Sequence, residues 1–208
     1  MLRLRHLRDN ALARAHRVRP DGDIRVHGNG FIQVDLNERK RLHVWGHPSV
    51  PRQRTDSQPH DHVFGFVSRT LAGRICNTFY RWEPDDAGPY QVWEPSVREG
   101  QDTVLSPTGG RGRLLHGTSF VLDARCGNDH YRCEAGTVHE TWANSPAVTV
   151  IRKDGPTQAQ GAPARPRVFC RVGEAPDNSF DRYRAMPPSL AWDAVREVLR
   201  LGGVETDL

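Results

Sequence analysis

The stretch HDHVFGFVSRTLAGRICNTFYRW (60–82) decides the fold. After the two histidines, an apolar run from His62 to Leu71 reaches Gly73. RICNTFYRW (74–82) then continues with β-branched and aromatic residues. Neither half repeats at helical spacing, and a lone glycine separates them, so the stretch predicts two strands joined by a turn.

The same grammar extends outward. In GFIQVDL (30–36), Phe31, Gln33 and Asp35 fall on one face and Ile32, Val34 and Leu36 on the other. NERK supplies a turn and RLHVW a return strand, so 30–36 and 41–46 predict a hairpin. Downstream, YQVWEP, LLHGTSFVLDAR, HYRCEAG, TVHETWAN and AVTVIRK (147–153) read as further short strands. SPTGGRGR (106–113) reads as a Gly-rich loop, a mobile lid or hairpin tip, because it lacks the lysine of a phosphate-cradling loop.

Helical periodicity is confined to the ends. Leu4, Leu7, Ala11, Ala15 and Val18 predict an amphipathic helix over 1–20, ended by Pro20; the absence of serine there argues against a transit peptide. Residues 189–201 predict a second helix. Ser189 is its expected cap, Gly202 its stop, and Leu190, Val195, Val198 and Leu199 its buried face. The expectation is an all-β domain: a barrel over 21–153, the N-terminal helix before it, and a linker and C-terminal helix over 154–208 packed on it.

Composition agrees. The chain has 208 residues, enough for one domain, and its 19 glycines and 15 prolines suit many turns. A net charge of +4 without a basic face interleaved with aromatics makes nucleic acid an unlikely partner. No apolar run approaches the ~20 residues needed to span a bilayer. The four cysteines form no CxxC pair and read as free thiols of a reducing cytoplasm.

The chemistry points to three of the ten histidines. His60 and His62, two apart in an extended segment, point to one face and can converge inside a barrel. His139 follows a glycine turn in EAGTVHETWAN. Imidazole is a neutral ligand for Fe, Ni, Cu and Zn, and three of them leave positions open, as catalysis requires. Asp61, between the two ligands, points to the opposite face and can tie down a loop. Glu140 points away from the metal. His43 shares a face with Trp45 and is a candidate neighbour of the metal, whereas His47 reads as exposed loop. Tyr80, Trp82, Tyr90 and Trp93 read as barrel packing, with a substrate wall as the alternative.

These motifs resemble the cupin superfamily. His60, His62 and Gly73 match its first motif; Glu134-Ala-Gly136, His139 and Asn144 resemble its second. The resemblance implies a single jelly-roll (double-stranded β-helix) barrel. The glutamate that usually follows the second histidine is missing from VFGFV (63–67), which favours a three-histidine site. Within the superfamily the three-histidine pattern resembles the cysteine dioxygenase (thiol dioxygenase) group. The carriers are His60-Asp61-His62, Leu71, Gly73, Asn77-Thr78 and Pro146-Ala147-Val148, over roughly half the chain from Phe31 to Val150. That likeness implies mononuclear Fe(II) and O₂ as co-substrate, with Ni, Zn, Mn or Cu as other metals such a site takes.

The chain departs from that group at defined places. The positions of its serine-histidine-tyrosine relay are Thr149, Ile151 and Lys153; its cross-linking cysteine falls at Val67, and its carboxylate-binding arginine near Gln33. The expected activity is therefore a metal-dependent dioxygenation of a small polar molecule, a thiol or an amino or carboxylic acid. Gln33, His43 and Arg69 are the expected substrate contacts, with Arg41 as a further carboxylate anchor, and the catalytic acid–base residue stays unassigned. A non-oxidative metal-dependent isomerase or lyase and a ligand-binding cupin module are the alternatives, and a homodimer is a candidate assembly for any of these readings.

Overall fold

The computed structural model describes residues 24–27, 30–48, 59–96, 104–143, 145–154, 164–176 and 185–203. The helix expected over 1–20 and Asn144 lie outside them. The described residues form two antiparallel sheets and one helix, the all-β architecture expected.

Eleven strands run in chain order: β1 (Ile24–His27), β2 (Phe31–Asn37), β3 (Lys40–Trp45), β4 (Phe66–Ala72), β5 (Arg74–Pro84), β6 (Tyr90–Ser96), β7 (Val104–Asp123), β8 (His130–Cys133), β9 (Val138–Trp142), β10 (Ala147–Lys153) and β11 (Val168–Arg171). One sheet has the order β1-β2-β3-β10-β4-β8 and the other β11-β6-β7-β5-β9. Strands distant in sequence lie side by side, as in a jelly roll.

Alternation in β2, β3 and β10 explains how the first sheet is buried on both faces. Ile32, Val34, Leu42, Val44 and Val148 face outward and are covered by the helix α1 (Pro188–Leu201), through Ala191, Ala194, Val195, Val198 and Leu199. Phe31, Trp45, Phe66 and Ala147 face inward, against Ile75 and Leu122 of the second sheet. Each fully buried aliphatic side chain contributes about 1.5–3 kcal/mol. Gly73 makes the β4–β5 turn in the left-handed region (φ 73°), where a Cβ would lie 2.2 Å from the Pro146 carbonyl oxygen.

Several local expectations are corrected. Residues 106–113 are no lid: they lie inside β7, a 20-residue strand paired with β5 and β6, and only 108–110 bulge out of the ladder where the β6–β7 register shifts. Gly112 serves close approach, since a Cβ there would stand 2.3 Å from the Glu83 carbonyl oxygen and 2.5 Å from the Trp82 ring. Helix α1 begins after Pro187, with no side-chain cap from Ser189, and Leu190 is exposed instead of buried. The strand expected from His62 begins at Phe66, so the two histidines precede β4. Finally, the stretch read as linker and helix also contains β11, which pairs with β6.

Candidate metal centre

His139 is carried by β9, just after a turn at Gly136 (φ 77°). His60 faces it across an antiparallel bridge. Each backbone N–H donates to the other's carbonyl, at 2.9 Å from His60 and 2.8 Å from His139. Directly opposed residues project to the same side of a ladder, so their imidazoles meet. His62 reaches the same side two residues on, held where its carbonyl accepts the Gly136 N–H at 2.8 Å.

The three rings form a triangle. Their centroids are 4.9 Å apart for His60 and His62, 4.7 Å for His60 and His139, and 5.3 Å for His62 and His139. One nitrogen from each lies within 4.8 Å of the others. Burial pushes the pKa values of His62 and His139 well below the ordinary imidazole value, and the neighbouring His60 adds to the effect. Neutral imidazoles are the form that ligates metal.

Asn77 sets the tautomer of His139. It sits on β5 directly across from Thr141, one diagonal from His139, and is fully buried. Its Oδ1 accepts from His139 Nδ1–H at 3.0 Å and from Thr141 Oγ1–H at 2.7 Å. An amide oxygen only accepts, so Nδ1 carries the proton and Nε2 presents a lone pair. That Nε2 is buried with no hydrogen-bond partner. Such an orphaned acceptor beside two further imidazoles fits a divalent ion. Sequence reading noted Asn77 as a matching position without seeing this role, which depends on the β5–β9 register.

The three histidines line a cavity of about 90 Å³. It is small against the ~300–1,000 Å³ of drug-sized sites. Gln33, Arg41, His43 and Trp45 line it from the first two long strands of the six-stranded sheet, and Thr149, Ile151 and Lys153 from β10. Trp45 Nε1–H donates to Thr149 Oγ1 at 3.1 Å. Burial, helped by Arg41, pulls the pKa of His43 down to about 3, so it stays neutral, and its Nε2 has no hydrogen-bond partner. Asp35 accepts from Gln33 Nε2–H at 3.0 Å and pairs with Arg41 at 2.7 Å and Arg25 at 3.5 Å. Lys153 lies with its ammonium 5.0 Å from the centroid of Phe64.

Arg69 is placed elsewhere. Ser68 takes the inward position on β4, which turns Arg69 to the other face, with its Nε 3.5 Å from Asp129. It therefore leaves the set of cavity contacts. His47 meets Glu197 of α1 at 3.1 Å. Glu140 points away from the triad and accepts from Tyr80 O–H at 2.6 Å. Tyr80, Trp82 and Tyr90 pack around Val92, Val138 and Phe169 outside the cavity. All four cysteines are free thiols.

No known protein-family profile matches the chain, and no curated protein matches it. Among solved structures, it is similar to a hydroquinone 1,2-dioxygenase in complex with Cd²⁺ and 4-hydroxybenzonitrile, with 17% identity and a TM-score of 0.30. The match covers 60% of this chain and 63% of that one, so the chain spans less than two thirds of that protein's length. Among the described residues, no helix is long and apolar enough to cross a membrane.

Proposed function

We propose that this chain is a cupin-type mononuclear metal dioxygenase, with His60, His62 and His139 as its ligands and Fe(II) as its ion. The observation that carries the reading is the buried, partnerless Nε2 of His139, whose ring Asn77 holds in the ligating tautomer beside two more imidazoles. The ion would supply Lewis acidity and a site for O₂ at positions that three protein ligands leave open.

The chain's own residues suit a small, anionic substrate. Three imidazole ligands bring no negative charge to a divalent ion, and Arg41 and Lys153 add two cations to the cavity wall, with Asp35 answering Arg41. A carboxylic acid, amino acid or thiolate of few heavy atoms balances that charge. Gln33 is held by Asp35, so its carbonyl oxygen and second amide hydrogen are oriented for a polar substrate group. His43, neutral and partnerless at Nε2, offers a further donor or acceptor. Phe64, Phe66, Ile75 and Ile151 keep the remaining wall apolar and exclude water.

The test begins with metal. Purified protein loaded anaerobically is expected to hold one equivalent of Fe(II), and His60→Ala and His139→Ala to lose it. Stoichiometric metal in both variants would remove the site assignment. Oxygen uptake by the iron-loaded protein, screened over small thiols and carboxylic acids, then tests the reaction. Full metal with no uptake on any of them would favour a non-oxidative use of the ion.

A further inference from the structure

Asp61 separates His60 from His62 and turns its side chain to the opposite side. The carboxylate is buried, and Arg167 meets it three ways. The Arg167 backbone N–H donates to Oδ1 at 2.7 Å, Nε–H donates to Oδ2 at 2.7 Å, and Nη2 lies 2.6 Å from Oδ2. Backbone bonds join the same segments: Asp61 N–H donates to the Arg167 carbonyl at 3.0 Å, and Phe169 N–H to that of Pro59 at 2.8 Å. The Arg167 guanidinium lies 5.5 Å from the centroid of Phe169, which is itself buried against Val92 and Val138.

The ligand loop is thus held from both sides. His60 bridges His139 on one side and Val168 on the other, so the Pro59–Asp61 segment lies between β9 and β11. Side chains alternate along such a segment. A slip of one residue would turn Asp61 into the cavity and His60 out of it. A buried carboxylate with its Oδ2 held by two guanidinium nitrogens and its Oδ1 by the Arg167 backbone N–H resists that slip, because moving it would leave two charges unpaired.

We propose that Arg167 is a positioning residue for the metal centre: its clasp on Asp61 fixes the register of Pro59–His62 and so aims His60 and His62 at the point they share with His139. The proposal rests on reading those histidines as ligands, and its test separates the two. Arg167→Met and Arg167→Lys are compared with the unaltered chain, by amide hydrogen exchange without metal and by Co(II) titration with its visible spectrum. Arg167→Met is expected to speed exchange at the Asp61 amide, weaken Co(II) binding by about 10–100-fold and change the Co(II) bands. Arg167→Lys keeps the charge without the fork, so it recovers part of both effects.

A folded Arg167→Met protein with unchanged exchange, affinity and spectrum overturns the proposal. Should Arg167→Met not fold, an Arg167→Lys protein identical to the parent in all three measurements overturns it equally. If the unaltered chain takes up no metal, the metal reading falls, and the exchange comparison alone decides whether Arg167 sets the register of the segment.

Discussion

Replacing Asn77 by alanine isolates the support behind one ligand. The side chain is wholly buried and touches no bulk solvent, and its Oδ1 takes two hydrogen bonds, from His139 at 3.0 Å and Thr141 at 2.7 Å. The bond from His139 contributes about 0.5–1.5 kcal/mol to holding its ring, and the bond from Thr141 fixes the Asn77 amide that accepts it. Substitution of a group that orients a metal-bound histidine costs about 10–100-fold in metal affinity, or about 1.4–2.7 kcal/mol, so Asn77→Ala is expected at the lower end of that range, about 10-fold. Competitive titration of Zn(II) or Fe(II) against a chelator is the assay, with circular dichroism to confirm the fold. Asn77→Asp keeps the acceptor and is expected to retain more of the affinity than Asn77→Ala. A folded Asn77→Ala protein binding metal as tightly as the parent would refute the argument that Asn77 sets the ligating tautomer.

Other perturbations probe the scaffold. Leu199→Ala, in the fully buried face of α1, should lower stability by about 2–5 kcal/mol in chemical denaturation while leaving metal stoichiometry intact, because α1 covers the sheet face opposite the cavity. Gly73→Ala should cost more than about 1 kcal/mol, since it combines a left-handed φ with a clash against backbone, and a thermal melt matching the parent would contradict it. Arg125 and Arg74 hold the Asp123 carboxyl well below its usual range. A depressed folded pKa means the stabilisation is present above the unfolded value of about 3.9 and is lost as pH falls below it, so Asp123→Asn should flatten the acid limb of a stability–pH curve in that window and leave its neutral limb parallel to the parent.

The sequence carried the strands of the barrel well because period-two alternation is local. Phe31 and Gln33 on one face and Ile32 and Val34 on the other is the division between cavity and helix cover seen in the fold. His60, His62 and His139 were legible for the same reason: two residues in an extended segment share a side, and a glycine turn precedes the third. What was not legible depends on partners far along the chain. Arg69 looked like a cavity residue until the position of Ser68 turned it outward. SPTGGRGR looked like a loop because its glycines read locally as turn residues, whereas Gly112 serves close approach to Trp82 and Glu83, a strand contact that leaves no mark in a local pattern. The roles of Asn77 and Arg167 require the registers of β5 with β9 and of the ligand loop with β11.

The pairing of Asp61 with a residue 106 positions later bears on how the protein comes into being. A ribosome that has released the barrel strands through Lys153 has already supplied all three imidazoles, yet the strand that flanks their loop is still unmade. On the proposed reading of these histidines as ligands, metal capture is therefore expected to be a late event in synthesis. An excised fragment ending at the polar stretch after β10 would keep the full ligand set and still be a poor chelator, a warning for anyone choosing domain boundaries by motif.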